Sequence, residues 1–406
     1  MQINLTNKSI LLGVTGSISA YKACDLARLF IKAGASVHVV MTSSAERFVS
    51  RLTFEALTRN AVLTEQTESW ASKLNHIDIG KACDVFVIAP VTANTINKMS
   101  QGLADNILLQ TVLAFNKKLL IAPAANTNMI EHQTSITSLA LLSKNNVSII
   151  NSQSKLLACG DIGNGALAEP TEIFHQVAKS LLEENYWKER AVIVTGGGTR
   201  EKIDEVRYVS NFSSGKMANA LASALYLKGA NVTLITSMSH QEIPKAIHIV
   251  KVESAQEILN ETSKTIETIT QSSQKKPFLF MAAAVADFTP NEPHFGKMKK
   301  VNIGNEWNIQ MKQTADVLKT IDKSKIITIG FKAEMDKEKG FSNAKSLIEN
   351  KNIDGVCYNL LADSSAFGTS DNSIVFITKT ESIDLGKASK LDLSFKILKE
   401  SQKIEK

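Results

Sequence analysis

The sequence has few cysteines and few aromatic residues. Its four cysteines, Cys24, Cys83, Cys159 and Cys357, are too widely spaced for a disulfide framework or a CxxC metal site, so we expect reduced thiols and a cytoplasmic protein. Aromatic residues make up only 6% of the chain, and a stacking platform for nucleic acid is therefore not expected. The net charge of +6 is modest and favours small anions such as phosphates as partners.

Long apolar runs are also missing. No run approaches the roughly 18–20 residues that a membrane-spanning helix needs, and the N-terminus shows neither a basic segment nor a cleavage site. The sequence therefore predicts a protein that is neither secreted nor inserted in a membrane. Its 406 residues exceed what one hydrophobic core usually covers, so two domains are expected.

Short apolar runs rich in β-branched residues alternate with helical segments. This alternation predicts an α/β protein with two doubly wound, Rossmann-like domains and mainly parallel sheets. The first series of runs is Ser9–Val14, Val37–Met41, Val85–Ala89, Leu119–Ala122 and Val147–Ile150. The second series is Val192–Val194, Val232–Ile235, Ile247–Val252, Phe278–Met281, Ile326–Ile329 and Val375–Thr378. A charged stretch at 183–190 separates them, and we place a linker near 185–190, with domains at 1–188 and 189–406.

Helical periodicity is clearest after the first predicted strand. The residues that recur at the spacing of a buried helix face are Ala23, Leu26, Ala27, Phe30 and Ile31. Gly34 suits the position just beyond the end of this helix. Near the C-terminus, residues 387–406 predict an amphipathic helix with a solvated lysine face.

A glycine-rich loop follows the first predicted strand of each half. In the first loop, Gly13 and Gly16 let backbone amides approach a phosphate, while Ser17 and Ser19 offer hydroxyl groups beside a helix N-terminus. The GxGxxG spacing is absent, so a plain tight turn explains this loop about as well. The second loop, residues 196–198, is a run of three glycines and would also place amides against phosphate.

Two further segments of the first half suggest a ligand site. Pro90 to Asn94, PVTAN, follows a buried strand and falls at the carboxyl edge of the sheet, where open α/β folds bind ligands. A helix start capped by Thr92 or Asn94 is the alternative. In ACGDIGNG, Cys159 is followed by several glycines, which fits a flap, although a surface loop with one thiol is the simpler explanation.

These segments resemble two enzyme families along nearly the whole chain. The first half is similar to flavin-dependent cysteine decarboxylases in GSISAYK, NHIDIG, PVTAN, NKMSQGLADN, PAANTNM and ACGDIGNG. The second half resembles phosphopantothenate–cysteine ligases in TGGGTREKIDEVRYVSNFSSGKMA, AAAVADF, GKMKK and GFKAE. Their order resembles the family of bifunctional phosphopantothenoylcysteine decarboxylase/phosphopantothenate–cysteine ligases of coenzyme A biosynthesis.

The resemblance implies an FMN-dependent decarboxylase in the first half. Loss of CO2 from a cysteine carboxylate needs an electron sink, which a flavin provides by first oxidising the thiol-bearing carbon. The family assigns the base to His76, carboxylate binding to Asn126 and proton donation to Cys159. Ala125 stands where the family usually has methionine, so we expect different loop packing around the flavin. The residues implied in flavin binding are Gly16, Ser17, Ser19, Pro90, Thr92 and Asn94.

For the second half, the resemblance implies a CTP-dependent ligase that forms an acyl-cytidylate before cysteine attacks. Asn211 is assigned to turnover of this intermediate, and Asp287 to Mg2+ or the ribose. The lysines that would neutralise the triphosphate are Lys297, Lys299 and Lys300. The residues implied in nucleotide contact are Gly197, Gly198, Ser213, Ser214, Gly215, Asp287, Phe331, Lys332 and Lys345.

Simpler explanations remain for these residues of the second half. A lysine-rich turn is usually solvated surface, and an asparagine followed by serines is often a helix cap. Asp287 could merely end a turn. Gly198 replaces the family's usual proline, which predicts a slightly more flexible loop.

The resemblance also implies trimeric decarboxylase units and dimeric ligase units, hence a dodecamer. Two alternatives from other classes remain open. One is a single-function flavin enzyme such as a flavin prenyltransferase, against which the GKMKK and SNFSSGKM segments argue. The other is a regulatory flavoprotein without catalysis, against which Cys159 argues.

Overall fold

The computed structural model describes residues 2–156, 160, 162–238, 243–299, 306–336, 338–360, 369 and 371–405. They form two compact units, which divide between Leu182 and Glu183. Among the helices in these ranges, none is both long and apolar enough to cross a lipid bilayer.

The first unit is built on a parallel sheet with the order β2-β1-β3-β4-β5, accompanied by an antiparallel hairpin of β6 and β7. Its strands are β1 (Ser9–Val14), β2 (Ser36–Met41), β3 (Val85–Val91), β4 (Lys118–Pro123), β5 (Val147–Ile149), β6 (Gln153–Leu156) and β7 (Ile162–Ala166). Its helices are α1 (Tyr21–Lys32), α2 (Ser43–Glu46), α3 (Arg51–Thr58), α4 (Asp78–Ala82), α5 (Ala93–Ser100), α6 (Ile107–Ala114), α7 (Thr127–Ile130), α8 (Gln133–Lys144) and α9 (Pro170–Leu182). This is the flavodoxin-like order of a doubly wound sheet, and the predicted fold class is confirmed.

Helix α1 shows why the first unit folds as its pattern predicts. Four of the five apolar residues in its predicted stripe are buried, and only Ile31 is partly exposed. Gly34 follows with φ of 88°, and its N–H donates to the Ile31 carbonyl at 2.9 Å. A Cβ at Gly34 would lie 2.8 Å from Thr6 Oγ1, so a side chain there would be both strained and crowded.

The central strand β3 is buried along its whole length. This is expected of a parallel strand that helices cover on both faces. Its Phe86 and Ile88 pack in one apolar cluster with Ile121 of β4 and Leu108 of α6. Each such fully buried side chain contributes about 1.5–3 kcal/mol of hydrophobic free energy.

The second unit is built on a larger sheet with the order β12-β11-β8-β13-β16-β17-β18-β19, in which β18 and β19 are antiparallel to their neighbours. Its strands are β8 (Ala191–Gly196), β9 (Arg200–Lys202), β10 (Tyr208–Ser210), β11 (Asn231–Thr236), β12 (His248–Lys251), β13 (Phe278–Met281), β14 (Phe288–Pro290), β15 (Met311–Gln313), β16 (Ile327–Glu334), β17 (Gly355–Leu360), β18 (Asp371–Thr378) and β19 (Ser382–Ser389). Its helices are α10 (Lys216–Leu227), α11 (Ala255–Ser272), α12 (Val317–Thr320), α13 (Gly340–Asn350) and α14 (Lys390–Ser401). The parallel part has the strand order of a classic Rossmann sheet.

The C-terminal segment differs from its prediction. The helix expected over 387–406 begins only at Lys390, because Ser382–Ser389 forms the edge strand β19. Lys390 is also buried rather than solvated, and its Nζ donates to Asn372 Oδ1 at 3.1 Å. The edge strand has little apolar character, and its pairing with β18 is what holds it.

Residues 183–190, where the charge pattern suggested a linker, pack into the second unit. Trp187 is fully buried, and its ring centroid lies 5.0 Å from that of Phe278. Arg190 is also buried and pairs with Glu405 Oε2 at 2.9 Å. These two side chains therefore anchor the segment in this unit, while Glu184, Asn185, Lys188 and Glu189 remain exposed.

Candidate active sites

The loops of the first unit that carry the predicted flavin residues share one edge of the sheet. Strands β1, β3 and β4 are parallel, so their carboxyl ends lie together. Buried Thr15 joins two of these loops, since its Oγ1 donates to Pro90 O at 2.9 Å and accepts the Thr92 N–H at 3.0 Å. The sequence analysis did not identify Thr15 as a site residue. A threonine directly after a buried strand was the available signal.

The glycine loop after β1 lies against helix α2, which follows β2. A Cβ on Gly16 would be 2.5 Å from Ser44 Cβ, so only glycine lets the loop approach this helix so closely. Ser17 Oγ accepts the Ser19 N–H at 3.2 Å and caps the short 3-10 turn that leads into α1. Thr92 caps α5 in the same manner, and Asn94 is exposed beside it.

This edge of the first unit fits an anionic group such as the phosphate of FMN. The first turns of α1 and α5 contain no acidic residue, and both helices present their N-termini here. Hydroxyl groups and the positive end of a helix are the donors that a phosphate prefers. The helix-cap explanation for Thr92 is therefore confirmed, while ligand binding at this edge stays a prediction.

His76 is paired with a carboxylate. Its Nδ1 lies 2.7 Å from Glu68 Oε1, and the Trp70 ring meets the imidazole edge-on with centroids 5.8 Å apart. A carboxylate only accepts, so Nδ1 carries a proton and Nε2 is the ring atom left for proton transfer. The next helix begins here because Asn75 Oδ1 accepts the N–H groups of Ile77 and Asp78.

Asn126 lies beyond the end of β4 and caps α7 through its side-chain oxygen. The β6–β7 hairpin packs directly against this loop, and the Ala125 N–H donates to Gly165 O at 3.1 Å. A Cβ on Gly165 would lie 2.1 Å from Ala125 O, and one on Gly163 would lie 2.1 Å from Thr127 Oγ1. These two glycines are thus required for close packing. Cys159, which the sequence analysis placed on a flap or a surface loop, lies outside the described residues.

A chain of charges fastens the hairpin to the start of α1. Glu169 pairs with Lys155 of β6 and also with Lys22 of α1, the latter at 3.5 Å. Hydrogen bonding to Lys155 is the main reason that the pKa of Glu169 lies below its ordinary value. The hairpin is therefore tied both to the first turn of α1 and to the loop that carries Asn126.

In the second unit, the glycine loop follows β8 at the edge shared with β11 and β13. Gly197 has φ of 81°, and a Cβ there would lie 2.3 Å from Ser237 Oγ. A Cβ on Gly198 would lie 2.6 Å from Asn211 O. Gly198 therefore allows Asn211 to approach the loop closely, and the flexibility expected of this glycine stays a prediction.

Asn211 lies between the glycine loop and the loop after β13. Its Nδ2 donates to Val285 O at 2.9 Å. Gly215 caps α10 with φ of 68°, and a Cβ on it would lie 3.7 Å from Gly197 Cα. The N-terminus of α10, which Ser213 and Ser214 precede, therefore meets the glycine loop, as an anion site requires.

Four further residues of this region, which the sequence analysis did not identify, anchor it. Thr199 Oγ1 accepts the Ala286 N–H at 2.9 Å. Buried Glu201 accepts the N–H of Ala255, the first residue of α11, at 2.9 Å. Asp204 and Arg207 form an ion pair that also contacts Met298, the residue between Lys297 and Lys299. Three of them lie in the TREKID run, residues 199–204, and Arg207 follows three residues later. The family resemblance included this stretch but gave these residues no role.

The remaining predicted residues of the second unit lie on several different elements. Lys297, Lys299 and Asp287 are exposed, and Lys345 is exposed on α13. Phe331 and Lys332 lie on β16 just beyond the level where β13 ends, and Lys332 pairs with Glu334 at 3.2 Å. Lys300 lies outside the described residues. Within the described part of the chain, no group of three or more His, Cys, Asp or Glu side chains is placed to hold a metal ion.

Comparison with known proteins agrees with this division. The family model described as flavoprotein matches residues 2–182, and that of the DNA/pantothenate metabolism flavoprotein C-terminal domain matches residues 187–404. The chain is 37% identical over 410 residues to coenzyme A biosynthesis bifunctional protein CoaBC of Bacillus subtilis, covering 99% of this chain and 98% of that one. It is 34% identical over 402 residues to the Haemophilus influenzae protein of the same name, covering 98% of each. A solved C-terminal domain of a CoaBC protein is 29% identical with a TM-score of 0.43, covering 54% of this chain and 98% of that chain.

Proposed function

The chain belongs to the family of coenzyme A biosynthesis bifunctional proteins, and we propose how its two units divide the work. It is an enzyme with phosphopantothenate–cysteine ligase and phosphopantothenoylcysteine decarboxylase activities. In the proposed division, the second unit joins cysteine to 4'-phosphopantothenate with CTP. The first unit then decarboxylates the product to 4'-phosphopantetheine with FMN. The observation that carries this proposal is the full-length similarity, together with a glycine loop at the carboxyl edge of each sheet.

In the first unit, FMN would supply the acceptor and later the donor of a hydride. Gly16, Ser17 and Ser19 would bind its phosphate, with the Thr92 and Asn94 loop beside them. His76 would take a proton through Nε2, because Glu68 holds the other ring nitrogen. The side-chain amide of Asn126 would bind the substrate carboxylate, and Cys159 would return a proton to the enethiolate left after CO2 is lost.

In the second unit, the glycine loop and the N-terminus of α10 would bind phosphates of CTP. Lys297 and Lys299 would neutralise the charge that grows on the leaving pyrophosphate. Asn211, fixed by its bond to Val285, would act on the acyl-cytidylate as the amine of cysteine attacks. Mg2+ commonly uses one or two carboxylates together with substrate phosphates. Asp287 is an exposed carboxylate at this edge and suits that role once CTP is bound.

We also propose that the chain acts in the cytoplasm as an oligomer. Large apolar side chains are exposed in both units, among them Ile18 and Tyr21 beside the first glycine loop and Phe212 and Phe295 in the second unit. Exposed apolar groups of this kind often mark contacts between subunits. Light scattering coupled to size-exclusion chromatography gives the mass and tests the expected dodecamer.

Product analysis tests the function as a whole. The protein is incubated with 4'-phosphopantothenate, cysteine and CTP, and the products are identified by mass spectrometry. We expect 4'-phosphopantetheine, CO2 and pyrophosphate, and no ligation when CTP is omitted. Decarboxylation without ligation would favour a single-function flavin enzyme. A yellow protein with neither activity would favour the regulatory flavoprotein.

Three variants test the proposed roles one at a time. Asn211→Asp should let the acyl-cytidylate accumulate in quenched reactions, because a carboxylate there repels the phosphoanhydride, whereas Lys299→Ala should slow its formation. Cys159→Ser should release an oxidised enethiol in place of 4'-phosphopantetheine, because a hydroxyl is far less acidic than a thiol. Normal turnover in Cys159→Ser would show that this thiol is not the proton donor.

A further inference from the structure

A buried carboxylate in the second unit reaches the loop that carries Lys297 and Lys299. The side chain of Asp204 has 0% of its surface exposed. Its Oδ1 accepts the N–H groups of Val206 and Arg207, both at 2.8 Å, which closes a local turn. Its other oxygen makes contacts far away in the sequence.

That second oxygen binds the residue between the two lysines. Asp204 Oδ2 accepts the Met298 N–H at 3.2 Å and the Arg207 Nε–H at 3.0 Å. The guanidinium of Arg207, in an ion pair with the same oxygen, donates from Nη2 to Met298 O at 2.9 Å. A single Asp–Arg pair thus holds both backbone polar groups of Met298.

The chain is also fastened on both sides of the lysines. Before them, the His294 N–H donates to Ile203 O at 2.9 Å. After them, the Trp307 ring lies under the Arg207 guanidinium, whose central carbon is 4.3 Å from the ring centroid. Arg207 also keeps the pKa of Asp204 well below its usual range, so the carboxylate is charged wherever the enzyme works.

We propose that Asp204 is a positioning residue of the ligation reaction, which acts through Arg207 and the Met298 backbone to set where Lys297 and Lys299 present their ammonium groups. The inference rests on the proposed role of these lysines in binding the phosphates of CTP. A lysine side chain has a long flexible stem, so its charge acts on a defined phosphate only if its backbone is fixed. The carboxylate supplies that restraint without contacting the nucleotide itself.

The test compares Asp204→Asn with Glu205→Gln in the full-length protein. Both substitutions remove one negative charge from the same turn, but Glu205 is exposed. Without ligands, tryptic cleavage after Lys297 and Lys299 should be about tenfold faster in Asp204→Asn and unchanged in Glu205→Gln. The KM for CTP should rise about tenfold with a smaller change in kcat. Decarboxylation of supplied phosphopantothenoylcysteine should stay the same in both variants.

A double variant distinguishes a restraint that Asp204 and Arg207 share from a general loss of structure in the second unit. If Asp204 acts through Arg207, Asp204→Asn combined with Arg207→Met should cleave no faster than the more affected single variant. Cleavage of Asp204→Asn at the rate of Glu205→Gln would overturn the proposal. So would faster cleavage spread evenly over the second unit. If Lys299→Ala leaves ligation unchanged, the proposed role of Lys297 and Lys299 in binding CTP is wrong. The cleavage rates still show in that case whether Asp204 restrains the segment that carries these lysines.

Discussion

The glycine loops of the two units are anchored by the same device. In the first unit, Thr15 Oγ1 contacts Pro90 O at 2.9 Å and Thr92 N at 3.0 Å. In the second, Thr199 Oγ1 accepts the Ala286 N–H at 2.9 Å. Each threonine therefore ties the loop after the first strand to the loop after a neighbouring central strand. In both sheets, a threonine hydroxyl group thus connects two loops at the carboxyl edge.

The segments after the two glycine loops differ. In the first unit, α1 begins at Tyr21, directly after the serines and a short 3-10 turn. In the second, the β9–β10 hairpin is inserted before α10 begins at Lys216. The insertion brings Asp204, Arg207 and Asn211 to the edge, where the first unit has hydroxyl and amide groups. The comparison shows how one βαβ plan acquires charged groups beside its glycine loop.

The largest expected effect tests where the second unit begins. Trp187→Ala should lower the free energy of unfolding of the second unit by about 3–5 kcal/mol, because a fully buried indole is removed, and leave the first unit unchanged. Urea unfolding followed separately by ligase activity and by flavin fluorescence measures both. Trp187→Phe is the matched control and should cost much less. The indole N–H that it removes has no hydrogen-bond partner among the described residues. Equal losses in both units would contradict this assignment.

A second test makes the same substitution, glycine to alanine, in each of the two glycine loops. Gly197→Ala should reduce kcat/KM of ligation tenfold or more, because its φ and the contact with Ser237 disfavour a Cβ by about 1–3 kcal/mol. Gly16→Ala should instead weaken flavin retention by a similar factor. Gly386→Ala, with φ of 72° and nothing within 4 Å of the added Cβ, is the control for backbone strain alone. If either loop variant impaired both activities, the two sites would not be independent.

The threonine anchors of the two glycine loops predict similar losses of stability in the two units, smaller than the effects above. Thr15→Val and Thr199→Val should each lower the free energy of unfolding of their own unit by about 1–2 kcal/mol, since each leaves backbone groups unpaired. Thermal unfolding of each variant measures the loss. Thr→Ser at each position keeps the hydroxyl and should restore most of the stability. A loss in only one unit would show that the resemblance between the two anchors is superficial.

The smallest expected effect concerns the hairpin of the first unit. The pKa of Glu169 is lowered in the folded state, so its pairing stabilises the protein above pH 4.5 and this contribution is lost as the pH falls further. Because these side chains are partly exposed, Glu169→Gln should cost only about 0.5 kcal/mol at pH 7. Urea unfolding at pH 7 and near pH 3.5 measures the difference, which should shrink in acid. Glu172→Gln, in the first turn of α9, is the control, and an equal loss at both pH values would rule out the ion pairs as the cause.

Most of the sheet framework could be predicted from the sequence. A parallel strand with helices on both faces must be apolar throughout, and β3 shows this directly. The edge strand β19 and the hairpins could not be predicted in the same way. Their residues are polar or glycine-rich, and their pairing partners determine them. The start of α14 at Lys390 was missed for that reason, because the preceding residues pair with β18.

The candidate sites show the same distinction between features that the sequence predicts and features that depend on tertiary contacts. The family resemblance supplied the residues with proposed chemical roles, such as His76 and Asn211. It did not indicate the residues that position the site. Glu68 pairs with His76 eight residues further along, and buried Asp204 contacts Met298, which is remote in sequence. An acidic residue on a polar segment looks solvated until the fold shows what it faces.

By itself, the sequence determined the α/β class, the repeated plan of two halves and the motifs that identify the family, because periodicity and local motifs are properties of neighbouring residues. Only the tertiary structure decided that residues 183–190 belong to the second unit and that Gly198 makes room for Asn211. It also decided that Asp204 reaches Met298. Each of these depends on a distance between segments that are far apart along the chain, and composition or spacing does not encode such distances.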